Sequence, residues 1–291
     1  MLPFINKFTF VFIFKNIIDI EAGGVDLSWK ILILVMIFFI LCGCSSSIIE
    51  VSPKKEVNCY SEKIFECTEN NEISISCDFG NIEFFNWDKK TIKLEIKKKI
   101  IGISQNDNLD EKLDDFKIEL IEEKDKVNLD IKYTGKNESM INKMVDLKIY
   151  LPKDIDILNL YLEKGRVKFH DDLKGILNAD TDMADIEINK FIGTINIKGN
   201  QGNVSISDGK ISKNSSIVKN IGSISIKSHF DEGGEYIINT GTGNIDLLVS
   251  KNSKVSFESV GAIEENDFKE YNYPTKVKVN SSIGKISIKE Y

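Results

Sequence analysis

From about residue 73 onward, apolar and polar residues alternate with a period of two, the pattern of strands that bury one face and wet the other. Ile73-Ser-Ile75-Ser-Cys77 begins it, followed by Gly80-Asn81-Ile82-Glu83-Phe84 and Ile92-Lys-Leu94-Glu-Ile96. Phe116 to Leu120, Val127 to Ile131 and Val145 to Ile149 keep the same alternation. One short helix is expected over Asn108 to Asp115, with Leu109, Leu113 and Phe116 on one side. Pro152 ends the strand through Tyr150-Leu151, because proline has no N–H to give a ladder.

Beyond residue 156 the alternation becomes a repeat. Gly193-Thr194-Ile195-Asn196-Ile197 returns as Gly165 to Phe169, Gly202 to Ile206, Gly222 to Ile226, Gly243 to Leu247 and Gly284 to Ile288. Ala184 to Ile188 is the same phrase with Ala in the glycine slot. Gly193, Gly202 and Gly222 are 9 and 20 residues apart, so a unit of about 20 residues holds two half-units. Glycine fits a corner where φ is positive or where neighbouring backbones stack closely. Such a unit cannot bury its own apolar face, and stacking unit on unit makes a continuous core. The expected fold is therefore all-β: a β-solenoid, a single-stranded, β-helix-like stack of about 20-residue coils with parallel strands. The runner-up is an antiparallel β-sandwich, which short strands at this spacing also suggest. Tight hairpin signals are scarce, Asp208-Gly209 being the main one, and the 20-residue step favours the coil.

The N-terminal part reads differently. Lys30 is followed by an apolar run from Ile31 to Leu41 and then Cys42-Gly43-Cys44, the layout of a secretory signal too short for a comfortable membrane span. Leu41-Cys42-Gly43-Cys44 resembles a bacterial lipobox, which implies cleavage between Gly43 and Cys44 and a lipid on Cys44. The uncleaved helical anchor is the alternative. Residues 1–26 carry acidic Asp19, Glu21 and Asp26, the wrong flank for a signal, and are read as an extension ahead of a true start near Leu27. The expected organisation is thus 27–43 signal peptide, 44–71 flexible tether and 72–291 repeat domain. Cys59 and Cys67 lie in the tether and Cys77 in the first strand phrase. A Cys59–Cys67 disulfide is compatible with an oxidising compartment, free thiols are the other reading, and three scattered thiols make a poor metal site.

Composition narrows the partners. The net charge of -7 argues against nucleic acid, which needs a clustered basic surface. Arg166 is the single arginine amid abundant lysine, isoleucine and asparagine, a skew of AT-rich bacterial coding, and it leaves bidentate phosphate recognition almost without donors.

Gly80-Asn-Ile-Glu-Phe84 with Trp87-Asp88, then Tyr150-Leu151-Pro152-Lys153, then serial Gly-x-Ile-x-Ile phrases resemble the bacterial "putative adhesin" family over residues 72–291. The resemblance implies a β-helix-like domain of unknown function on envelope proteins, without an established catalytic site. Ala184 and the irregular unit between Gly243 and Gly284 depart from its pattern.

The densest candidate chemistry is Asp171, Asp172, Asp180, Asp182 and Asp185 near His170, with Arg166 and Lys168 close by. A polysaccharide lyase or hydrolase would use such acids for calcium or for proton transfer. Solvated corner positions are the plainer reading. His170 and His229 are the two histidines and lack ligand partners at metal spacing. No serine elbow, phosphate loop or dinucleotide fingerprint is present, and Gly241-Thr242-Gly243 reads as a corner. Asn137-Glu138-Ser139 carries little meaning as a sequon in a bacterium. The expectation is a lipid-anchored module on the outer face of a Gram-positive cell membrane, non-catalytic, without cofactor or metal. It would bind an envelope polymer or surface protein. The alternatives are a carbohydrate-active enzyme on the same scaffold and an envelope-sensing accessory protein.

Overall fold

The computed structural model describes residues 54–66, 72–102, 108–123, 126–136, 141–153, 155–269 and 272–291. The signal, Gly43, Cys44, Cys67 and the sequon at Asn137 lie outside the described residues.

The repeat phrases lie side by side as parallel strands. β7 (Ile157–Gln201) is a single 45-residue strand, followed by β8 (Val204–Ile211), β9 (Ser215–Ile221) and β10 (Ile224–Phe230). β11 (Glu235–Thr242), β12 (Ile245–Val249), β13 (Val255–Asn266) and β14 (Thr275–Glu290) complete the set. Ile186 pairs with Val204, Val204 with Ile224, Ile224 with Ile245 and Ile245 with Ile286, so equivalent residues of the phrase form one column. The side chains of this column and of the next inward one, Ile188 to Ile288, are 1% exposed or less. Ile197, Ile217, Ile238 and Val279 form a second buried column. Each buried aliphatic side chain contributes about 1.5–3 kcal/mol against leaving it in water.

The expectation of an open solenoid stack is overturned by the strand order. The ladder runs β7-β8-β10-β12-β14-β11-β9 and returns to β7, a closed barrel of seven strands with every pairing parallel. The antiparallel sandwich fails on the same pairings. Two strands close the ring by changing partner along their length. β7 pairs with β8 up to Gly193 and with β9 from Asn196, while β14 pairs with β11 up to Ile283 and with β12 from Ile286. Asp208-Gly209 makes no hairpin, since both residues sit inside β8 opposite Lys190 and Phe191.

Glycine marks the corner for the reason anticipated. A Cβ built on Gly222 would fall on the Gly202 carbonyl oxygen, and one on Gly243 would fall on that of Gly222. Their φ angles are 145° and 149°, which side-chain-bearing residues rarely adopt. Ala184, at the same slot, is not among the positive-φ residues.

Further strands extend the barrel. β2 (Glu72–Trp87) pairs in parallel with β7, β5 (Lys126–Tyr133) and β6 (Asn142–Pro152). β3 (Thr91–Gly102) runs antiparallel to β6, and β4 (Phe116–Glu123) antiparallel to β5. The expected short helix is α1 (Leu109–Lys112) with a 3-10 turn over Leu113–Asp115, and Leu109, Leu113 and Phe116 are buried beneath it. Lys98 reaches the carbonyls of Leu113 and Phe116 at 3.3 and 3.1 Å.

Part of the segment read as a tether is a strand. β1 (Lys55–Glu66) pairs antiparallel with β3 over its full length and buries Val57 and Phe65. Cys59 is exposed, and Cys77 is a buried thiol pushed up to about 12 by desolvation.

Candidate functional site

Four of the five acidic candidates, all but Asp182, are taken up singly by the frame. Asp171 accepts a hydrogen bond from the Asn86 backbone N–H at 2.9 Å, and Asn86 in turn donates its side-chain amide to the Asp172 carbonyl at 2.7 Å. Asp172 pairs with Lys190 at 3.3 Å and Asp180 with Lys198 at 2.9 Å. Asp185 accepts from the Asn203 backbone N–H at 2.8 Å. That bond starts a series up the glycine corner. Asn203 Oδ1 accepts from the Ser223 N–H, Ser223 Oγ from the Asn244 N–H, and Asn244 Oδ1 from the Lys285 N–H, at 2.8 to 3.2 Å. The polar residue after Ala184, Gly202, Gly222 and Gly243 therefore satisfies a backbone donor of the next rung that the corner leaves unpaired.

The remaining candidates are equally engaged. Arg166 and Lys168 face Glu187 at 3.9 and 3.4 Å. His170 meets Glu83 at 2.8 Å and stacks on Phe85 with ring centroids 4.4 Å apart, next to Tyr150 and Trp87. His229 meets Ser253 through Nδ1 at 3.1 Å. Among the described residues, no group of three or more His, Cys, Asp or Glu is placed to hold a metal ion. Gly241 and Thr242 end β11, and Gly243, at a φ of 149°, makes the corner to β12.

The structure also brings together one face of outward polar slots, to which the repeat phrase contributes Asn196. Ser74 lies between Asn128 and Asn159, and Asn196 lies beside Ser216. The three β7 asparagines join these ends, with Asn178 Nδ2 donating to Asn159 Oδ1 at 2.9 Å and Asn196 Nδ2 to Asn178 Oδ1 at 3.0 Å. Two residues further along each rung stand Asp130, Ser76, Tyr161, Asp180, Lys198 and Val218. Both columns line one open groove of about 620 Å³ that crosses β5, β2, three rungs of β7 and β9. Tyr161 is 44% exposed within it. The signal for this ladder was present as Asn159-Leu-Tyr, Asn178-Ala-Asp and Asn196-Ile-Lys, 19 and 18 residues apart.

Beside this groove sits an interior cation. Lys219 occupies an inward slot of β9 and is 1% exposed, while its neighbour Val218 faces out. Its amine donates to Thr181 Oγ1 at 3.1 Å and to the Gln201 carbonyl at 3.4 Å, in space kept open by the missing side chain of Gly199. Burial lowers its pKa from the ordinary lysine value, against the fields of Asp185 and Asp182.

A scan against protein-family models finds no match, and a search of curated proteins finds none. Among solved structures, a "putative cell adhesion protein" from Clostridium sporogenes is 19% identical, with 81% of this chain and 100% of that one covered and a TM-score of 0.29. A "putative adhesin" from Bacteroides fragilis is 14% identical, covering 80% and 97% at a TM-score of 0.31. A "putative lipid binding protein" from Parabacteroides distasonis is 11% identical, covering 79% and 97% at 0.32. The chain is thus similar to solved bacterial proteins, several of them described as adhesins.

Proposed function

We propose that this chain is a non-catalytic binding module, held on the outer face of a bacterial membrane by a lipid on Cys44. One observation carries the binding part: Asp171, Asp172, Asp180, Asp185 and both histidines are spent on neighbouring residues, whereas the Asn-lined groove keeps amide and hydroxyl groups with bonding capacity to spare. The lyase or hydrolase reading needs a carboxylate pair free to move a proton. Asp180, its best acid, instead sits against Lys198 at 2.9 Å. The lipid anchor rests on the Leu41-Cys42-Gly43-Cys44 motif.

Two measurements test the reading. Cells expressing the full chain are labelled with palmitate; wild type is expected to carry label and Cys44→Ala to lose it, and a labelled, processed Cys44→Ala sinks the anchor. Detergent-solubilised full chain is then incubated with an envelope fraction. Retention without any release of soluble sugar is expected. Cleavage that disappears in Asp180→Ala/Asp182→Ala overturns the non-catalytic assignment.

A further inference from the structure

We infer that the groove over Asn159, Asn178 and Asn196 takes an extended, uncharged glycan chain lying across the strands. The inference rests on the binding-module reading and names the ligand class of that same groove.

The first argument is spacing. Neighbouring strands are about 4.8 Å apart, so the six rungs from Asn128 to Ser216 span about 24 Å. Groups recurring at this interval suit a polymer that is itself periodic, and a compact ligand would use only one or two rungs. The second is bonding capacity. A primary amide has two N–H donors and an acceptor oxygen. Asn178 and Asn196 each give one N–H to the preceding asparagine, which leaves the second N–H of each open to the groove. Asn159 spends its amide on Glu72 and Ser74, but the Asn196 oxygen and the hydroxyls of Ser76, Ser216 and Tyr161 accept no bond from the described residues, so the groove as a whole offers donors and acceptors together. Sugar hydroxyls, which are both, match that mixture.

The third argument is charge. Asp180 and Lys198 neutralise each other at 2.9 Å, and Asp130 is paired with Lys132. The groove therefore offers no excess of cation for a polyanion and no unpaired acid for a polycation. A peptide strand is disfavoured for a separate reason. Extended peptides bind by adding to a strand edge, and here both edges of β2, β7 and β9 are already paired. Finally, Tyr161 sets a half-exposed ring between Ser76 and Asp180, an apolar face with a polar tip of the kind that packs on a sugar ring.

The test uses the full chain in detergent and isothermal titration with neutral hexasaccharides of β-1,4-linked glucose and of N-acetylglucosamine. An oligogalacturonate of equal length is the polyanionic comparison. Binding of a neutral hexasaccharide is expected, weakened about tenfold or more by Tyr161→Ala and by Asn178→Ala/Asn196→Ala, a loss worth about 1.4 kcal/mol per factor of ten. Ser225→Ala, outside this groove, is expected to leave it unchanged. Thermal unfolding of each variant separates a lost contact from a lost fold, and Asn178→Gln serves if the double variant does not fold. Preference for the oligogalacturonate, or binding indifferent to the groove variants, overturns the inference. If neither hexasaccharide binds while the chain retains an envelope protein, the ligand class falls and the binding module stands. If the chain retains nothing from the envelope, the parent reading falls.

Discussion

At the scale of single residues, the corners and the interior lysine carry the sharpest energetic consequences. Gly222→Ala places a methyl on the Gly202 carbonyl at a φ of 145°, and neither backbone has room to yield within a paired ladder. A loss of about 2–3 kcal/mol is expected by urea unfolding. Gly233 also has a positive φ, 84°, but nothing stands within 4 Å of its added Cβ. Gly233→Ala is therefore expected to cost only the backbone strain, about 1 kcal/mol. Equal losses at the two sites would mean that stacking does not set the glycine requirement.

Lys219 acts through pH. Burial lowers its folded pKa below the unfolded value of 10.5, so between the two the unfolded chain binds more protons and stability rises with pH. Exposed lysines paired with acids, such as Lys198 and Lys254, have raised values and oppose this at higher pH. The clean measurement is the difference between wild type and Lys219→Met across pH 7 to 10, in which those terms cancel. Wild type is expected to gain stability relative to Lys219→Met as pH rises; a flat difference places the amine in water.

At the scale of elements, the strands divide by how many partners they hold. β8, β10 and β12 each lie between two parallel neighbours, whereas β1, β4 and β13 each have one. Edge strands open locally, and strands bonded on both sides open only with the whole barrel. Hydrogen exchange of the full chain is expected to protect Ile206, Ile226 and Leu247 most and Cys59, Ile121 and Ile263 far less. Comparable protection along β13 would show that a further strand covers its free edge. β1 itself was not legible in the sequence. Its residues alternate poorly, with Tyr60 and Ile64 exposed, and its order comes from pairing with β3.

For the whole molecule, the amino-acid sequence by itself determined the all-β class, the inward apolar columns, the glycine corners and the short helix. Each of these is set by periodicity or backbone freedom within a few residues of chain. Lys219 lies on the same inward face as Ile217, two residues before it, although its charge alone would read as outward. Tertiary structure alone decided that the ladder closes, because closure depends on where β7 and β14 change partner, and no local pattern distinguishes a strand that turns from one that ends. It also decided which polar slots build the frame and which face a ligand. Asp185 and Asn203 cap backbone one rung away, Asn178 and Asn196 keep donors to spare, and those partners lie 18 to 20 residues off in the chain.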